Sequence, residues 1–207
     1  MLLNFFFFNQ LLDAIMQTSL IEWIIFFTAL IYILLAVYEH SLCWPFGILS
    51  CLLSIYLCFS GQLFLESFLQ VFYVVIGLYG WYQWHKKSNI NSAEESIINS
   101  ISVKNIIIIL IIGIALFLPI GKIASHYSTQ QMPYLDAFIT SFSIIATWMT
   151  AKKIIQNWIF WIVIDTLATI LYAYRHFYLI AVIYIIYTFV ALVGYWKWKQ
   201  KMKLSNV

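Results

Sequence analysis

Apolar residues run almost without interruption through this chain, broken only by short polar punctuation. A stretch of about 17–25 mainly apolar residues is long enough to cross a bilayer as a helix. Seven such stretches can be drawn: Ile21–Tyr38, Trp44–Ser60, Phe64–Trp84, Ile101–Ile120, Leu135–Ala151, Trp158–Tyr174 and Phe177–Trp198. The first residues stand apart. Phe5–Phe8 form a short apolar run, but no basic residue precedes it and no small-residue cleavage site follows. It does not read as a secretory signal. Residues 1–19 are therefore predicted as an interfacial or flexible segment.

The pattern also repeats. A shift of 114 residues places Trp44 on Trp158, Phe46 on Phe160, Tyr73 on Tyr187, Gly80 on Gly194 and Trp84 on Trp198. Coincidences of Leu and Ile are common in apolar sequence; those of Trp and Gly are not. Repeats with a site between them are a common plan for small-molecule transporters. Each repeat holds three spans, an odd number, so joining them directly would invert the second; the fourth span restores its orientation. The predicted fold class is an all-α membrane protein of seven transmembrane helices in a 3+1+3 parallel-repeat arrangement, the plan that also describes the SWEET sugar transporters. The predicted organisation is a lead-in over 1–19, a first three-helix repeat over 20–87, a loop and linker helix over 88–122, a second repeat over 123–203 and a tail over 204–207. The linker, rich in isoleucine at Ile106–Ile109, Ile111 and Ile112, reads as lipid-facing. The polar stretch Ser88–Ser100 before it is the longest expected loop.

Composition narrows the function classes. At 64% hydrophobic and 9% charged residues, the chain has no room for a soluble catalytic or nucleotide-binding module. The net charge of +3 reflects lysines that flank spans, so it calls for no nucleic-acid partner. Lys86, Lys87, Lys104, Lys152, Lys153, Lys197, Lys199, Lys201 and Lys203 fall on one side of a seven-span drawing, Lys122 and Arg175 on the other. The positive-inside bias then puts the N-terminus outside and the C-terminus in the cytoplasm of a multi-pass inner (plasma) membrane protein. Cys43, Cys51 and Cys58 share one predicted helix, too far apart to bridge. They read as packing residues. The four histidines sit in or beside loops without metal-ligand spacing. No metal and no cofactor is expected.

Candidate chemistry lies on three stripes. On the sixth span, Trp158, Trp161, Asp165, Ala168 and Tyr172 recur at spacings of three and four and share a helix face. A carboxylate at that depth costs roughly 2.5–3.5 kcal/mol on insertion scales. No span interior holds a Lys or Arg to neutralise it. Asp165 must face protein, water or a ligand; the structural alternative is a protonated carboxyl bonded to a neighbouring helix. The matching stripe on the second span, Trp44, Gly47, Cys51, Ser54 and Cys58, sets Gly47 opposite Trp161 and Cys51 opposite Asp165. That asymmetry leaves room for a hollow, although Gly47 and Ser54 are equally what close helix packing requires. The third and seventh spans offer Gln70 and Tyr73, and Tyr184 and Tyr187. Trp84 and Trp198, beside lysines, read as interface anchors. Trp44 and Trp158 fit either a belt or a site. Glu22 and Asp136 read as helix N-terminal acids. The hydroxyls of Thr140, Ser141, Ser143, Thr147 and Thr150 either line a path or bond their own backbone. Cations bind over aromatic faces, more strongly when desolvated. A carboxylate among indoles and phenols therefore suits a flat, polar, cationic solute with hydrogen-bonding groups, such as an N-alkylated pyridinium or a thiazolium.

The runs WPFG at 44–47, QVFY at 70–73 and YGWYQW at 79–84 resemble the PnuC vitamin-precursor transporters. So do ATWMTAKK at 146–153, NWIFWIVID at 157–165, LYAY at 171–174 and GYWKW at 194–198. The resemblance covers roughly residues 20–200. It implies a SWEET-like fold, a homotrimer, and facilitated uptake of nicotinamide riboside, with thiamine and other vitamin or nucleoside compounds as substrates of related branches. It also implies trapping of the solute by a cytoplasmic kinase. Carried onto this chain, the substrate site includes Trp44, Gln70, Tyr73, Asn157, Trp161, Asp165 and Tyr187, to which the seventh-span stripe adds Tyr184. An Asn is familiar near the position of Asp165, so its charge is a departure. An intramembrane enzyme would need a second acid, a metal set or a nucleophile–base pair, and none is evident beside Asp165. A retinal-type receptor would need a lysine inside the seventh span, which has none. A non-transporting sensor or assembly subunit remains the alternative of another class.

Overall fold

A computed structural model describes residues 2–61, 64–90, 98–127 and 131–204. They form eight helices: α1 (Leu2–Gln17), α2 (Leu20–Val37), α3 (Cys43–Ser60), α4 (Phe64–Ile90), α5 (Val103–Tyr127), α6 (Pro133–Ala151), α7 (Asn157–Tyr174) and α8 (Tyr178–Leu204). Part of the loop expected over 88–100, and residues 205–207 of the expected tail, lie outside the described residues.

Local chemistry explains where the helices begin and stop. Ser19 and Glu22 form a capping box: Glu22 Oε2 accepts from the Ser19 N–H at 2.7 Å, and Ser19 Oγ from the Glu22 N–H at 3.3 Å. Two otherwise orphaned donors of α2 are satisfied in one exchange. Pro133 opens α6, where its missing N–H is harmless. Glu39, Lys153 and His176 turn the chain out of α2, α6 and α7 in left-handed backbone, with φ of 56°, 53° and 63°. Left-handed residues just past a helix end satisfy its last carbonyls.

The seven-helix, 3+1+3, SWEET-like arrangement is corrected. The chain is an all-α multi-pass bundle of eight helices, and among the described residues five are long and apolar enough to cross a membrane: α2, α3, α5, α7 and α8. The lead-in over 1–19 contains the sixteen-residue α1, which packs on α8. The helices α4 and α6 fall outside the five for a physical reason. α4 carries Glu66, Gln70, Gln83 and His85, and α6 carries hydroxyls at every turn. Much of α6 is buried by its neighbours, including Ser141, Ser143, Thr147 and Thr150. A helix screened from lipid needs no continuous apolar surface. By contrast α5 exposes Ile107, Ile108, Ile111 and Ile112 on the outside, as a lipid-facing helix does.

α2, α3 and α4 pack in succession, as do α6, α7 and α8; α4 meets α6 and α2 meets α8, while α5 lies on α6. Landmarks of the sequence repeat make matching contacts. A Cβ on Gly80 would collide with the Trp44 ring, and one on Gly194 would lie 2.7 Å from the Trp158 ring. Trp84 and Trp198 are not interface anchors: both are buried, with 3% and 1% exposure. A large indole flush against a helix backbone needs a residue without a side chain opposite. This is why Trp and Gly coincide in both halves.

Candidate functional site

These contacts frame a cavity of about 270 Å³ in the middle of the bundle. Six helices contribute to its wall. α2 brings Ala29, Tyr32, Ile33 and Ala36, spaced so that they share one face. α3 contributes Trp44, Gly47, Ser50 and Cys51, and α4 contributes Tyr73 and Gly77. The opposite side is built from Ser143, Thr147 and Thr150 of α6, Trp158, Trp161 and Asp165 of α7, and Tyr184 and Tyr187 of α8.

Six of the eight residues singled out in sequence thus meet on one cavity: Trp44, Tyr73, Trp161, Asp165, Tyr184 and Tyr187. Gln70 is half-buried one turn before Tyr73, and it is not among the lining residues. Asn157 is fully buried behind the wall. Its Nδ2 donates to the Ile154 carbonyl at 2.6 Å, closing the turn into α7. The Thr150 hydroxyl shares its proton between the Ala146 carbonyl at 2.9 Å and Asn157 Oδ1 at 3.1 Å. It accepts from Trp161 Nε1 at 3.4 Å. Asn157 thereby holds Thr150, and Thr150 holds the Trp161 ring at the cavity.

Both readings of the α6 hydroxyls are realised. Thr147 bonds the Ser143 carbonyl at 2.7 Å and Thr150 that of Ala146, yet both also line the cavity. Tyr32 is the main lining residue missed in sequence. It packs edge-on to Trp44, with ring centroids 5.8 Å apart. Its signal was a lone tyrosine on the same face as Ala29, Ile33 and Ala36 within an apolar span.

Three buried polar atoms in the wall have no protein hydrogen-bond partner among the described residues: Trp44 Nε1, Trp158 Nε1 and Asp165 Oδ2. Buried polar groups are nearly always paired, and leaving one unpaired costs about 1–3 kcal/mol. All three belong to residues that line the cavity. Around it the rings are ordered by their neighbours. Tyr184 stacks on Tyr172 at 5.4 Å with an interplanar angle of 6°, and meets Tyr187 edge-on at 6.0 Å. Offset and edge-to-face pairs of this kind are favourable beyond simple burial. Among the described residues no cluster of His, Cys, Asp or Glu is suited to hold a metal ion.

The model of a family described as nicotinamide mononucleotide transporter matches residues 19–200. The nicotinamide riboside transporters PnuC of Escherichia coli (strain K12) and of Shigella flexneri are each 26% identical to the chain over 176 residues, covering 74% of this chain and 74% of theirs. A crystal structure of the vitamin B3 transporter PnuC superposes with a TM-score of 0.72 at 20% identity, over 97% of this chain and 90% of that one. The fold is accordingly a PnuC-type membrane bundle. The molecule is a multi-pass, lipid-embedded transporter of small molecules in a bacterial inner membrane, and not an enzyme. The chain belongs to the nicotinamide mononucleotide transporter family.

Proposed function

We propose that this protein moves nicotinamide riboside across the membrane by facilitated diffusion, binding it in the central cavity. One observation carries the reading: Asp165, whose Oδ2 is buried without a hydrogen-bond partner among the described residues, lines a hollow walled by indoles and phenols. A pyridinium ring is flat and cationic. It stacks on Trp and Tyr faces, and its charge is attracted both to ring quadrupoles and to the carboxylate. The ribose and amide supply acceptors for Trp44 and Trp158 Nε1 and hydroxyls for the Thr147, Thr150 and tyrosine oxygens. The cavity lies near the lower end of the usual small-molecule range of about 300–1,000 Å³, which suits one ring and one pentose. The E. coli relative is named for the same solute.

Trp44, Tyr73, Trp161, Asp165, Tyr184 and Tyr187 contact the solute in this reading, while Asn157 orients Trp161 through Thr150. A cytoplasmic C-terminus and an outer N-terminus, the orientation expected from the lysine pattern of the sequence, are part of the proposal. A homotrimer, and a cytoplasmic kinase that traps the solute by phosphorylation, complete the proposal.

Saturable uptake of labelled nicotinamide riboside into proteoliposomes, with no dependence on an ion gradient, is the expected result. Saturable binding without uptake would support a sensor or assembly subunit instead. Thiamine is the second reading, because Asp165 and the aromatic wall would hold a thiazolium as well as a pyridinium. Quenching of intrinsic tryptophan fluorescence by each compound ranks the two, and quenching by a sugar alone would refute both.

A further inference from the structure

The lysine-rich end of the bundle carries a second assembly of polar groups behind the cavity wall. Glu39 and Lys153 are related by the same offset of 114 residues as the repeat landmarks. Both follow the last turn of a helix in left-handed backbone. Their side chains meet: Lys153 Nζ lies 3.1 Å from Glu39 Oε2, with 5% and 6% side-chain exposure. Lys201 of α8 adds a second cation 3.2 Å from Glu39 Oε1. Equivalent positions of a repeat here hold opposite charges and pair with each other.

Trp84 and Trp198, also offset mates, are crossed beneath this triad. Trp84 Nε1 donates to the Ala151 carbonyl at 3.1 Å, and Trp198 Nε1 to the Ala36 carbonyl at 3.3 Å. Each indole thus reaches from one half of the chain to the other. Lys153 Nζ sits 4.5 Å from the Trp84 ring. Trp84 packs edge-on to Trp44 at 5.5 Å, and Trp198 to Trp158 at 5.4 Å. Trp44, Trp158 and Ala36 line the cavity. The Trp84 and Trp198 indoles therefore back the Trp44 and Trp158 rings of the cavity wall, and Lys153 of the ion triad lies over Trp84.

A buried ion pair is a poor permanent fastener, because desolvation offsets most of its attraction. It is a good reversible one, because its charges regain hydration when the contact parts. An apolar seam would instead have to expose its surface to water. We propose that the Glu39–Lys153–Lys201 triad and the crossed Trp84 and Trp198 indoles form the gate that closes the lysine-rich end of the solute cavity. The proposal rests on the transport reading of that cavity, but not on which solute it takes. A solute leaving toward the lysines passes between the carbonyls of Ala36 and Ala151 only when both indole bonds and the triad have parted.

Cys43 is a built-in reporter. It opens α3 four residues after Glu39, directly before Trp44, and has 0% exposure. The experiment measures N-ethylmaleimide labelling of Cys43 by peptide mass in reconstituted protein without added solute. Glu39→Gln and Lys153→Gln should each speed labelling by about tenfold, the shift expected when the closed state loses its advantage. Trp198→Phe, which keeps a ring and loses the donor, should speed it by a smaller factor. Helical signal and monodisperse elution should match the unaltered protein. Equal protection of Cys43 in all four proteins would overturn the gate. Faster labelling seen only with lost helical signal would also overturn it, leaving the triad a structural staple. Because labelling needs no solute, a protein that shows the shift yet neither binds nor takes up nicotinamide riboside would sink the substrate assignment and leave the gate standing.

Discussion

Asp165→Asn isolates the charge of the cavity from its shape. The two side chains are nearly isosteric, so the α7 face and the ring packing around it persist. Asp165 is 2% exposed, and among the described residues no Lys or Arg lines the cavity with it. A cationic ring held about 4 Å away would gain up to about 4 kcal/mol at an effective dielectric of 20. Replacing the lost anion with an amide dipole returns part of this as an ordinary hydrogen bond of about 1 kcal/mol. The net cost should be about 2–3 kcal/mol, or roughly a 30- to 150-fold weaker Kd for nicotinamide riboside, since each 1.4 kcal/mol is tenfold. A neutral nucleoside that fits the same cavity should change by less than about threefold. The assay is tryptophan fluorescence titration of the purified variant with nicotinamide riboside, thiamine and a neutral nucleoside, alongside thermal unfolding. Equal losses for cation and neutral compound would refute the charge argument. So would a cation affinity that does not change.

Trp158→Phe keeps an aromatic face but removes the unpaired Nε1 donor. Solute affinity should fall about three- to tenfold, as expected for one hydrogen bond of about 1 kcal/mol, and the unfolding temperature should also fall, because a fully buried indole packed against Gly194 and Trp198 is replaced by a smaller ring. Gly194→Ala places a Cβ 2.7 Å from the Trp158 ring and should destabilise the fold by about 1–3 kcal/mol, read by thermal unfolding in detergent. A neutral result would mean that the indole shifts freely. Thr150→Val breaks the link from Asn157 to Trp161 and leaves Asn157 Oδ1 without its donor, at a cost of about 1–3 kcal/mol. It should weaken solute binding more than Ser141→Ala does. Ser141 bonds only its own helix, at the Ala137 carbonyl, and does not line the cavity.

Much of the candidate site was legible because helical spacing projects directly into space. Trp158, Trp161 and Asp165 share a face by periodicity, and that face does meet the cavity. The mismatch of Gly47 with Trp161 and of Cys51 with Asp165 located both sides of the hollow, since all four line it. What failed to transfer were depths and neighbours. Trp84 and Trp198 sit beside lysines, as belt residues do, but both indoles are buried, and Lys201 near Trp198 pairs with Glu39. Gln70 aligns with Tyr184, yet only Tyr184 reaches the cavity.

Apolar length, the lysine pattern and the repeated Trp and Gly landmarks determined from sequence alone that this is an all-α membrane bundle with a polar, aromatic-lined interior. These are properties of single helices, and a single helix carries them wherever it packs. The number of bilayer-crossing helices, the inclusion of α1, the place of Tyr32 in the wall and the crossed indole bonds were decided only by tertiary structure. Each depends on which helix shields which, so a hydroxyl-rich helix such as α6 counts as interior only once its neighbours have closed around it. The same holds for Glu39 and Lys153. Their spacing of one repeat is written in the sequence, but their contact exists only because the two halves fold face to face.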